Sequence, residues 1–171
     1  FPEGTAPKIL HATRRIREEK ICEPILIGDS AKIHAVAEEA SIDLTGVEII
    51  DPTTSPLRQE FVEQFHLMRA RKGVTVRDAQ RMLRDPHYFG LMMVRTGKAD
   101  GLVAGATKHY PDVLRPCLQV FPRHATSKEI CGMTMVIWPN DIMFFADTTV
   151  HIDPTAEQLA EITLECAREV R

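Results

Sequence analysis

The run Gly105-Ala106-Thr107-Lys108-His109 is a place where a ligand could reach the main chain. Residues 101–104, Gly-Leu-Val-Ala, read as a buried strand entering it, and the segment from about Pro111 to Val120 reads as the helix leaving it. Small side chains at such a junction leave N–H groups open, and the helix start adds the positive end of its dipole. Thr107 adds a hydroxyl, and Lys108 and Arg115 could add charge. The combination suits a phosphate or carboxylate. A structural turn has the same pattern, because neither G-x-x-x-x-G-K-[ST] nor G-x-G-x-x-G is present.

Arg115 sits in the apolar stretch Val113-Leu114-Arg115-Pro116-Cys117-Leu118, where a partly buried guanidinium is expected to need a partner. A bidentate anion would serve, and so would an internal Asp or Glu. Arg69, Arg71 and Lys72 precede Gly73, with Arg77, Arg81 and Arg84 beyond. Helix capping and a solvated face account for such a run, which lacks the interleaved aromatics of a single-strand binder. Asp147, His151 and Asp153 could be drawn as a metal site, but nothing in their spacing brings three ligands together, and a loop after a strand is the simpler reading. Cys22, Cys117, Cys131 and Cys166 form no C-x-x-C pair and read as free thiols of a reducing, cytoplasmic compartment.

The elements that must position these residues alternate between helix and strand. Helices are expected from Pro7 to Lys20, around 31–40, over 56–71, from Thr75 with Asp78 in a capping-box position, from Asp85-Pro86 to Val94, and from Asp153-Pro154 onward. Strands are expected at 24–28, 47–50 and 101–104, and at Met133–Trp138 and Ile142–Ala146 around a Pro139-Asn140 turn. This order argues for an α/β fold: an open, mostly parallel sheet with flanking helices. With 171 residues, 44% hydrophobic content and a net charge of −3, nothing points to nucleic-acid or membrane partners. The last helix is uncapped and the opening F-P-E-G reads like a strand exit, so the domain is expected to be truncated.

R-A-R-K-G-V-T (69–75), D-P-H-Y-F-G-L-M-M-V (85–94), K-A-D-G-L-V-A-G-A (98–106), D-V-L-R-P-C-L-Q (112–119) and F-F-A-D-T-T-V (144–150), in this order, resemble the phosphate acetyl/butyryltransferase family. The resemblance implies a two-subdomain phosphotransacetylase-like fold, with residues 1–171 as its N-terminal portion. About 1–120 would form the first subdomain and about 121–171 the start of the second. It also implies that the thiolate of CoA attacks the carbonyl of acetyl phosphate while arginines hold the phosphate. Arg69 and Arg115 match two of those arginines, so the implied ligand set is Arg69, Gly105, Thr107, Lys108 and Arg115. The family's catalytic Ser-Arg pair and general-base aspartate match nothing in this sequence.

The segment T-K-H-Y-P-D (107–112) departs from the hydroxyl-rich loop of enzymatic members, and with the stretch 146–162 it resembles the C-terminal domain of bacterial hybrid NADP-dependent malic enzymes. That resemblance implies a non-catalytic domain that binds acetyl-CoA and regulates an N-terminal malic-enzyme domain within a homo-oligomer. The domain itself would need no cofactor, and NADP and a divalent metal would belong to the malic-enzyme part. The alternatives are a catalytic phosphate acetyl/butyryltransferase and an interaction module that keeps only the dimer interface.

Overall fold

A computed structural model describes residues 1–121 and 129–170. They fall into two compact units, Phe1–Phe121 and Pro122–Arg171. In the first, helix α1 (Pro7–Glu18) leads to strand β1 (Ile25–Ile27), α2 (Ser30–Glu39) and β2 (Glu48–Ile50). Then follow α3 (Leu57–Arg69), a 3-10 turn (Ala70–Lys72), α4 (Val76–Met82), α5 (Pro86–Arg95) and α6 (Tyr110–Val120). Strands β1 and β2 pair in parallel with Leu26 opposite Ile49, joined through α2 as a crossover helix. On the other edge of β1, Phe1 N–H donates to the Ile25 carbonyl and Ile27 N–H donates to the Phe1 carbonyl. That is the bond pattern of a parallel bridge.

Local chemistry explains most of the boundaries. Asp29 caps α2 and Asp85 caps α5, each accepting a backbone N–H from the first turn. Thr75 and Asp78 form the expected capping box at α4. Gly73 closes the 3-10 turn at φ +84°, a left-handed geometry that a side chain would resist.

The expected strand at 101–104 is absent, a correction to the sequence reading. Among the described residues, no backbone group of Gly101–Ala104 enters a ladder. A slot of about 730 Å³ instead runs between residues 22–27 and 98–103.

Two apolar clusters hold this unit. Leu10, Leu26, Ile33 and Ala37 pack α1 and α2 against one side of β1. Phe61, Phe65, Leu83, Phe89 and Met92 join α3, α4 and α5. The Phe61 and Phe89 rings meet at 5.0 Å between centroids, and Phe65 and Tyr88 meet edge-on at 5.6 Å. This second cluster brings the C-terminal end of α3, the start of α5 and the flank of α6 together.

The second unit is an antiparallel hairpin, β3 (Met133–Trp138) and β4 (Asp141–Ala146), followed by α7 (Ala156–Glu169). Its strands match expectation, but its helix cap does not. Thr155 and Gln158 form a reciprocal capping box, which places Asp153-Pro154 outside the helix. On α7, Ile162 is buried, while Leu159 and, just past the helix, Val170 are exposed.

Phe61 is fully buried where three helices meet, so Phe61→Ala leaves a cavity that its neighbours cannot fill. Urea unfolding of the intact protein should show a loss of about 3–5 kcal/mol.

Candidate active-site cleft

The turn at 105–107 is occupied from within the chain. The Glu3 carboxylate, 6% exposed, accepts N–H bonds from Gly105 and Ala106 on Oε2, at 2.8 and 2.9 Å. Its Oε1 accepts the Thr107 N–H at 2.5 Å and the Thr107 hydroxyl at 2.6 Å. Burial alone would raise the Glu3 pKa, but the Thr107 hydroxyl and the three N–H donors outweigh it and hold the carboxyl at about 2. Gly105 takes φ +106° to aim its N–H inward, a conformation that explains the glycine. The small-residue loop is therefore an anion-binding nest, as its composition suggested, and the anion it holds is Glu3.

The helix that follows has few spare donors. Pro111 has no N–H, and Asp112 N–H donates to the His109 carbonyl. Buried Pro116 interrupts the α6 ladder just after Arg115. Arg115 is exposed, so the expectation of a partly buried guanidinium needing an internal partner is corrected. The arginine projects from the surface of α6, where bulk water solvates it.

Next to this turn lies a cavity of about 350 Å³ lined by Asp85, Tyr88, Lys108, Asp112, Arg115 and Pro116. Lys108 reaches it directly from the Glu3-bound turn. Of residues 108–111, Lys108 lines the cavity, and His109, Tyr110 and Pro111 do not.

Tyr88 forms the cavity's inner wall, its hydroxyl donating to Gln119 Oε1 at 2.8 Å. Burial and the Asp85 charge raise the Tyr88 pKa, while Arg115 and Arg69 both act on it in the opposite sense. Arg115 lines the cavity beside Tyr88, whereas Arg69 is not among the residues that line it. Arg69 ends α3, its carbonyl accepting from Val74 N–H, and its side chain is half-buried with an Nε that has no hydrogen-bond partner among the described residues.

The rest of the basic run does something else. Arg71, Lys72, Arg77, Arg81 and Arg84 are exposed, and Arg81 pairs with Asp78 on α4. Asp85 stays ionised because the His87 ring and main-chain N–H bonds to its carboxylate, with lesser help from the charges of His87 and Lys108, overcome its burial. Asp147, His151 and Asp153 do not come together as a metal-binding cluster, and none occurs among the described residues. Asp147 instead caps its own turn, accepting N–H bonds from Thr149, Val150 and His151, and His151 bridges it to Glu129.

A cavity that offers an arginine and a lysine to a small anion restricts the chemistry without naming it. The family model for phosphate acetyl/butaryl transferase matches residues 1–171. The chain belongs to the phosphate acetyl/butaryl transferase family.

A phosphate acetyltransferase of Bacillus subtilis is 37% identical over 172 residues, covering 100% of this chain and 53% of its own length. One from Corynebacterium glutamicum is 34% identical over 168 residues, covering 98% of this chain and 51% of its own. The solved EutD phosphotransacetylase from Staphylococcus aureus superposes with a TM-score of 0.88 at 34% identity, over 98% of this chain and 50% of its own. The chain thus spans about half the length of these relatives. These relatives carry the name phosphate acetyltransferase across the whole of this chain, including 107–112, so the reading as a malic-enzyme regulatory domain is corrected. The departures at 107–112 had carried that reading, and they lie in a segment whose fold this family shares. No described helix is long and apolar enough to cross a membrane.

Glu3, Asp85 and Tyr88 were not singled out from sequence. No local pattern ties Glu3 to a turn more than a hundred residues away. Glu3→Gln puts an amide where the turn needs only acceptors, and should cost about 1.5–3 kcal/mol in urea unfolding at pH 7. Because the folded pKa lies below the ordinary 4.5, the Glu3 contribution is full above that value. It is lost as pH falls toward about 2, so the gap between wild type and variant should close over that interval.

Proposed function

We propose that the protein transfers an acetyl group between acetyl phosphate and CoA, with this chain supplying the phosphate-holding wall of the active site. The observation that carries the reading is the cavity that Lys108 and Arg115 both line, with Arg69 at the end of α3 among the charges that act on its wall residue Tyr88. The names of relatives that match along the whole chain support it.

In the forward direction the CoA thiolate attacks the acetyl carbonyl carbon, a C–S bond forms, and the bond from that carbon to the bridging oxygen breaks. Phosphate leaves with the electron pair. Negative charge therefore grows on the bridging oxygen, which a guanidinium or ammonium group can neutralise. Arg69 and Arg115 fit that task through planar forks that can hold two phosphate oxygens each. Lys108 adds a point charge from a turn whose position Glu3 fixes. Asp85 and Asp112 line the same cavity and keep its field from being uniformly positive, which favours release of phosphate after transfer.

The test is thioester formation by the intact protein mixed with acetyl phosphate and CoA. Turnover is expected, and Arg69→Ala or Arg115→Ala should each lower kcat/KM by about 10²–10³-fold. Absence of turnover in the well-folded wild-type protein would overturn the reading.

A further inference from the structure

The cysteines stand apart from the cleft chemistry, and two of them stand together. Cys131 Sγ and Cys166 Sγ lie 3.5 Å apart although 35 positions separate them in sequence. Each sulfur is carried by a segment anchored in its own right. Next to Cys131, Gly132 donates its N–H to Asp147 Oδ1 at 2.9 Å and accepts the Thr148 N–H at 3.1 Å. Gly132 has no room for a side chain, because a Cβ there would meet Thr149 Oγ1 at 2.0 Å. Cys166 rides on α7 one turn beyond Ile162, the buried residue of that helix. Two separately fixed segments thus present their thiols to each other, both half-buried.

We propose that Cys131 and Cys166 form a thiol–disulfide exchange site, oxidised by a low-molecular-weight disulfide to an intramolecular Cys131–Cys166 bond. Forming the bond brings the two sulfurs from 3.5 Å to a bonded distance of about 2.05 Å. Burial and the contact with Cys166, with the charges of Asp147 and Glu165, push the Cys131 thiol up to about 11, and either sulfur can donate in the contact between them. Either thiol, once ionised, can be the first nucleophile. It attacks one sulfur of the small disulfide, forms a mixed disulfide and expels one small thiolate. The other thiol then gives up its proton and attacks the protein sulfur of that mixed disulfide, expelling the second. Two protein thiols are oxidised, one small disulfide is reduced to two thiols, and both protons end on those products. The bond would tie the start of β3 to α7 across the hairpin, a constraint independent of the proposed acetyl transfer.

The experiment treats the intact protein with oxidised glutathione until exposed Cys22 is fully modified, then maps peptides without reduction. The expected result is the Cys131 and Cys166 peptides joined to each other. In Cys131→Ser the expected result is a glutathione adduct on Cys166, the stalled first step. Wild-type protein in which Cys131 and Cys166 are recovered as free thiols, or as separate glutathione adducts, would overturn the proposal.

Discussion

The first unit depends on a buried carboxylate that gathers four donors from one turn. Glu3 joins the beginning of the chain to Gly105–Thr107, and the bonds it accepts are charge-assisted, the stronger kind. A buried ionised carboxylate is costly unless its lone pairs are filled, and here the turn fills them. The converse also holds: three main-chain N–H groups in a loop of small residues would be orphaned without an anion. Each side of the contact makes the other affordable, and together they fix the point from which Lys108 and α6 depart.

That constraint decides how the cleft can bind. Had the nest been empty, the backbone of residues 105–107 would be the natural phosphate cradle. With Glu3 in place, and with Pro111 contributing no N–H, the main chain has few donors to offer. In the proposed reading, anion recognition falls to side chains: Arg69 from the end of α3, Lys108 from the turn and Arg115 from α6. The apolar cluster around Phe61, Phe65 and Phe89 sets the spacing of those helices, so the packing of the core fixes the separation of the charges. Tyr88 belongs to both, with its ring against Phe65 and its hydroxyl on Gln119 at the cavity wall.

Much of this was legible in the sequence because it is local. The Thr75–Asp78 box, the Asp85-Pro86 helix start and the Pro139-Asn140 hairpin turn each announce themselves within a few residues. What was not legible is non-local. The turn at 105–107 could be read as an anion site, but only the fold places Glu3 in it. Residues 101–104 have a strand-like composition, yet a strand also needs a neighbour, and none of the described residues supplies one. Arg115 looked half-buried because its neighbours in sequence are apolar, whereas helical geometry turns it away from them toward solvent. Cys131 and Cys166, far apart in the chain, are brought together by a hairpin and a helix whose pairing no spacing rule encodes.

The most direct test of the account is an NMR titration of the intact protein with inorganic phosphate, following backbone amides and arginine Nε–H signals together. The account predicts that the Arg69 and Arg115 signals move with phosphate while the Gly105, Ala106 and Thr107 amides, held by Glu3, stay in place. Large shifts at those three amides, with the arginine signals unmoved, would mean that phosphate displaces Glu3 and that the main-chain nest is the binding site.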